Sequence, residues 1–329
     1  MSSPVFFYGK LPSYGDFVRH NASGSEVRAL DRWIQEALYA SAHHFGRDWD
    51  GAYERTPAYH FVFAPEDAGI FLIGILQPSR DKSERKYPFC VALKRERRNF
   101  DARTIPLIPS IFARFFEESR EIIQLGMDGF PLSDLEERSN NSGASVEEDS
   151  ETSHWDFQEY LARTTQERFW SGLFGDFHDP RKFLIIQNIL EIFQASTPRS
   201  LKIGIRFPLS GQEQSSLQEV CFWVHLCSRL LADSLVNAHL FWKVHRKNGK
   251  DYLFLFLGRV PPRTFIQLVD PDAENDFVCK LDEEGKEKLA QSDIRISAGY
   301  GTILARGGFT LADVLEEFGH SPDKGEDFD

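Results

Sequence analysis

Residues 69–93 read GIFLIGILQPSRDKSERKYPFCVAL, two apolar runs of strand length separated by a charged stretch. The first, 69–76, is continuously apolar and bounded by Gly and Pro, which suits a strand buried on both faces. Most of the local charge falls in 77–86, and 87–93 is apolar again. Residues 70–76 and 89–93 are therefore expected to pair antiparallel across that loop.

Upstream, 59–63 alternates rings with smaller residues, as a further strand does. Residues 4–8 form a short β-prone run ending at Gly9, and 10–16 (KLPSYGD) is rich in turn formers. From Ser25, the spacing of Leu30, Trp33, Ile34, Ala37 and Leu38 places those side chains on one face of a helix that covers a sheet. Downstream, Ile111, Phe112, Phe115, Phe116, Ile122 and Ile123 give 108–125 helical spacing. Composition then changes: 133–153 is Ser-, Asn-, Asp- and Glu-rich with almost no large apolar residue. A segment that cannot offset its ordering entropy by burial reads as an acidic linker or surface excursion.

Beyond it, 157–169 and 181–193 have helical periodicity, 201–209 alternates as a strand, and 213–233 repeats apolar residues every three or four positions. Asn248-Gly249 lies between apolar runs 238–244 and 251–257, a strong hairpin signal. A helix begins at 265–268, 311–318 is a short amphipathic helix, and the acidic end after Gly319 is expected to fray. The expected class is α/β or α+β, a mostly antiparallel mixed sheet flanked by helices, with a second, smaller α/β lobe. The division is 1–132, the 133–153 linker, and 154–329.

Composition narrows function. The formal charge is −12, from 38 Lys+Arg against 50 Asp+Glu, which opposes nucleic-acid binding, because counterion release needs a basic surface. Cys90, Cys221, Cys227 and Cys279 are scattered in or beside apolar runs, a pattern suited to a reducing cytoplasm. No stretch approaches membrane-span length and the N-terminus lacks a secretory profile, so direct membrane insertion is not expected. With 29 Phe and 6 Trp against 2 Met, the core should be built of rigid rings.

Four stretches together resemble the TagF/ImpM family of type VI secretion proteins. They are FYGKLPSYGDF at 7–17, LDRWIQ at 30–35, QPSRDKSERKYPF at 77–89, and a weaker second-half set, FPL at 207–209, CFW at 221–223, LFW at 240–242 and LGRVPPRTF at 257–265. The third departs from the family pattern, with Glu84 where Gly usually precedes the Arg. The resemblance implies a cytoplasmic regulator that restrains type VI assembly or firing by protein binding, its partner a forkhead-associated scaffold component. It brings no catalytic residues.

The residues set apart as partner-binding or structural are Lys10, Ser13, Asp16, Asp31, Arg32, Trp33, Ser79, Asp81 and Arg85. Gly9, Pro12 and Gly15 are read as setting a rigid loop, with Asp16 bonding loop amides or meeting Arg32. Asp81 with Arg85, or Asp31 with Arg32, would fix two loops, since a guanidinium suits a carboxylate. The alternative is a hydrolase or phosphate-binding enzyme using Ser79 or Lys10. It lacks a Gly-x-Ser-x-Gly turn and a P-loop glycine, with Pro at positions 4 and 12. Cys221 and His225 stand one helical turn apart, but two ligands make no zinc site. Neither cofactor nor metal is expected, and a protein that binds rather than catalyses is favoured.

Overall fold

A computed structural model describes residues 4–66, 69–145, 150–195, 204–212, 216–231, 234–243, 251–274, 276–283 and 298–319. Among these residues nine strands form one sheet: β1 Phe6–Gly9, β2 Val18–His20, β3 Tyr59–Phe63, β4 Ile70–Gln77, β5 Phe89–Glu96, β6 Gly204–Leu209, β7 Ala238–Lys243, β8 Asp251–Leu257 and β9 Val278–Lys280. Their order is β2-β1-β5-β4-β3-β7-β8-β6-β9. Every pairing is antiparallel except β6 with β9. The expected pair is β4–β5, with Ile73 opposite Leu93 and Gly74 opposite Ala92.

Alternation along the strands sorts side chains into two cores. Phe7, Phe71, Ile73, Ile75, Val91, Ile205, Trp242 and Leu255 face one side, which carries the helices Ala113–Met127, Arg181–Ala195, Ser216–Leu231 and Leu311–Gly319. Phe6, Phe61, Leu72, Cys90, Phe241 and Phe254 face the other. There the helix Ser25–Phe45 lays down Val27, Leu30, Trp33, Ile34 and Ala37, the stripe its spacing predicts. Both halves of the chain share this sheet, because β3 pairs with β7, Phe61 lying opposite Phe241.

Three local expectations differ from the structure. The helical pattern at 108–125 is broken at Phe112, which ends Ile108–Ile111 and precedes Ala113–Met127. The 157–169 pattern divides at Thr165, whose side chain accepts the Arg168 amide and caps Gln166–Phe174. Most of the low-apolar segment is helical, Leu132–Ser145 followed by Ser150–Arg163. Leu135, Ser139 and Ser142 are buried at helical spacing, so small hydroxyl residues serve as a packing face. The Asn248-Gly249 turn, the start of the 201–209 strand, both ends of the 213–233 helix and the tail beyond Gly319 lie outside the described residues.

His60 sits in β3 at the junction of the two halves, its ring centroid 4.6 Å from that of Phe116 and 5.1 Å from that of Trp242. Neither ring nitrogen has a hydrogen-bond partner among the described residues. Burial, with the Arg120 charge adding, pushes its pKa down to about 3. Its folded value lies below the unfolded one of about 6.5, so the unfolded chain takes up the proton first. The stability that neutral His60 contributes is complete above about pH 6.5 and is lost as pH falls toward 3. We expect His60→Leu to be more stable than wild type by about 2 kcal/mol at pH 5, with a smaller difference at pH 7.5. Urea titrations at the two pH values check this; equal differences at both would contradict it.

Candidate functional site

The first loop follows β1 because Gly9 ends the strand at φ 140°. The second connects β4 to β5, and Gly9 packs so closely on it that a Cβ would stand 2.1 Å from the Pro88 carbonyl oxygen. A Pro12 turn, with the Tyr14 amide donating to the Leu11 carbonyl at 3.0 Å, shapes the first loop. The loops are then sewn together: the Lys82 amide donates to the Tyr14 carbonyl at 2.8 Å, and Arg85 Nη2 to the Gly15 carbonyl at 2.6 Å. Gly15 has open space for a Cβ, so the conformational demand falls on Gly9 alone of the two.

Asp81 is the centre of this double loop. It is 1% exposed, and each carboxylate oxygen has two partners. Oδ2 meets Lys10 Nζ at 2.9 Å and Arg85 Nε at 2.7 Å; Oδ1 accepts the amides of Ser83 at 2.9 Å and Arg85 at 3.0 Å. Burial opposes its ionisation, but the bonds from Lys10, the two amides and the Arg85 side chain outweigh it and hold the carboxyl well below the usual range. Lys10 is itself buried, 5.2 Å from the Phe17 ring centroid. The Asp81 carboxylate is fully coordinated within the protein.

A second node joins the loops to the helix Ser25–Phe45. Asp31 Oδ1 accepts the Tyr8 hydroxyl at 2.8 Å, the Tyr87 hydroxyl at 2.6 Å and Gln35 Nε2 at 2.9 Å. Burial first, and the bond to Asp31 second, raise both tyrosine pKa values. Phe17 stacks on Tyr8 at 5.4 Å and meets Tyr87 edge-on at 4.8 Å. Tyr53, from the helix Trp49–Arg55, anchors the second loop by donating to the Ser79 carbonyl at 3.0 Å and accepting its amide at 3.1 Å.

Of the residues set apart in the sequence, Lys10, Asp81 and Arg85 form one cluster, with Ser79 in the same loop. Asp31 bonds tyrosines rather than Arg32. Asp16 is exposed and accepts the Phe17 amide at 2.8 Å, a local loop bond. Ser13 is exposed beside Gly129. Trp33 is core, stacked on Phe241 at 5.3 Å, and Arg32 lines a separate cavity with Arg259. Ser79 Oγ donates to Met127 Sδ at 3.6 Å, a contact that supplies no general base. Tyr8, Phe17, Tyr53 and Tyr87 were not singled out in the sequence, although three of them lie inside the quoted loops; aromatic residues there could equally have been core.

Residues 6–140 match the model of the TagF N-terminal domain, described as type VI secretion system-associated. This chain carries a TagF N-terminal domain. The match spans β1 to β5, both loops and Asp31, so both nodes lie within the TagF domain. No curated protein matches the chain. Among solved structures, PA0076 from Pseudomonas aeruginosa PAO1 is 17% identical with a TM-score of 0.49, covering 82% of this chain and 96% of that one. A likeness of that grade specifies neither register nor function.

Glu84 adopts φ 64°, in the left-handed region that favours Gly. That left-handed conformation costs a residue with a Cβ about 1 kcal/mol, offset here by Glu84 Oε2 accepting from Arg80 Nη1 at 2.6 Å. We expect Glu84→Gly to leave stability unchanged or raise it by up to about 1 kcal/mol, measured by thermal and urea unfolding. A loss above that size would show that the Arg80 contact dominates. Among the described residues, no group of three or more His, Cys, Asp and Glu could hold a metal ion, and no helix is long and apolar enough to cross a membrane.

Proposed function

We propose that the protein is a non-catalytic accessory factor of type VI secretion that restrains assembly or firing by binding a cytoplasmic component, a forkhead-associated scaffold protein foremost. The TagF N-terminal domain supports the secretion context. The observation that carries the binding reading is the saturation of Asp81: its four donors come from the two loops themselves. Groups committed to one another hold a surface in shape, whereas acid–base or nucleophilic chemistry needs a group free to exchange a proton. Ser79 is held likewise, its hydroxyl on Met127 and its backbone on Tyr53.

Titration calorimetry of the whole protein with the purified forkhead-associated component of the same secretion cluster tests the reading. We expect saturable heat and co-elution on size exclusion. Absence of binding to that component and to the other cytoplasmic type VI proteins would refute it. Turnover of ester or phosphate substrates that disappears in Ser79→Ala or Lys10→Met variants retaining wild-type melting temperature would establish the enzymatic alternative instead.

A further inference from the structure

Two cavities along the helix Ser25–Phe45 share a wall at Pro262. One, of about 380 Å³, is lined by Arg32, Trp33, Glu36, Glu66 and Arg259. The other, of about 740 Å³, is lined by Tyr39, His43, Arg263 and Ile266. Positions 32, 36, 39 and 43 recur every three or four residues, so they form a single stripe on the helix, about 16 Å long. Residues 259–266 make the opposite wall. Arg32 and Trp33 come from one family-like stretch, 30–35, and residues 259–265 from another, and none of these residues belongs to the Asp81 or Asp31 node.

We infer that this groove receives an acidic segment of a partner protein, whose carboxylate or phosphate groups meet Arg32 and Arg259 while an apolar side chain covers Tyr39 and Ile266. The inference rests on the protein-binding reading above and names the face that binds. Arg32 and Arg259 make no ion pair or hydrogen bond among the described residues, whereas Arg80, Arg85, Arg181 and Arg206 are all paired. Two unpaired guanidiniums lining one cavity suit an oxyanion. Tyr39 is 78% exposed, a residue type that anchors interfaces when covered. On a chain of net charge −12, the two cavities gather Arg32, Arg259, Arg263, His43 and His44 against Glu36 and Glu66. Charge complementarity therefore selects an acidic occupant, and Glu36 and Glu66 limit how tightly it is held.

Trp33 supplies a reporter, since its ring lines the first cavity and its Nε1–H has no acceptor among the described residues. We would titrate the full-length protein, with ¹⁵N-labelled indoles, against a short fluorescein-tagged peptide of Asp and Glu around two leucines. A phosphothreonine version and a lysine version accompany it. The acidic or the phosphorylated peptide is expected to shift the Trp33 indole resonance saturably, and the tighter of the two identifies the source of the anion. Arg32→Glu with Arg259→Glu should weaken binding at least about tenfold, and Tyr39→Ala about fivefold. Glu36→Gln should tighten it about twofold, and Arg114→Glu, on a helix across the sheet, should leave it unchanged. Equal binding of the lysine peptide, no saturable binding of either anionic peptide, or unchanged affinity in a folded double-Arg variant would overturn the groove. If the secretion partner binds that variant as tightly as wild type, the groove fails and the binding reading stands; if it binds neither form, the reading itself fails.

Discussion

Asp81→Asn is expected to lower the melting temperature at neutral pH by roughly 10 °C or more, the largest effect of any single side-chain change in the double loop. The asparagine amide would turn a donor toward Lys10 or Arg85, leaving the buried Lys10 ammonium without its counter-charge. Lys10→Met should cost less, because Asp81 keeps Arg85 and two amides. The double variant should lose less than the two singles added, and that coupling measures the pair. The pH dependence has a definite sign. Asp81 holds its carboxyl below the unfolded value of about 3.9, so the unfolded chain protonates first and the stabilisation, whole above about pH 4, disappears as pH falls further. Wild type should therefore lose stability more steeply than Asp81→Asn below pH 4. Parallel curves from thermal scans at stepped pH would contradict the assignment.

Gly9→Ala is expected to cost about 3 kcal/mol or more. The new Cβ would lie 2.1 Å from the Pro88 carbonyl oxygen and 2.7 Å from Phe89 Cα, both backbone atoms that no rotamer change can move. The φ of 140° adds strain that an L side chain rarely tolerates. Relief would require β1 to part from β5, where Phe7 lies opposite Val91. Gly15→Ala is the control, since nothing lies within 4 Å of the place its Cβ would take and the unfolded chain loses entropy. Equal midpoints for the two variants in urea would show that the close approach of strand to loop is not the constraint.

Local pattern made much of this architecture legible. Alternation marked β3, apolar runs of strand length marked β4 and β5, the helical spacing of Leu30, Trp33, Ile34, Ala37 and Leu38 marked the covering helix, and the charge between two apolar runs marked the loop that holds Asp81 and Arg85. The same pattern failed at 133–145, because serines at helical spacing can pack as small residues while hydropathy scores them as solvent-facing.

Sequence by itself determined which residues of the regular segments face a core and where the chain must turn, and it offered Asp81 with Arg85 as one of two carboxylate–guanidinium pairs. Only the tertiary structure decided that Asp31 takes Tyr8 and Tyr87 in place of Arg32, that Lys10 completes the Asp81 site, and that Arg32 shares a cavity with Arg259. It also joined the two halves through β3 and β7. The physical reason is that periodicity along a strand or helix selects a face, whereas the partner met across that face depends on sheet order and register, which bring together residues far apart in the chain.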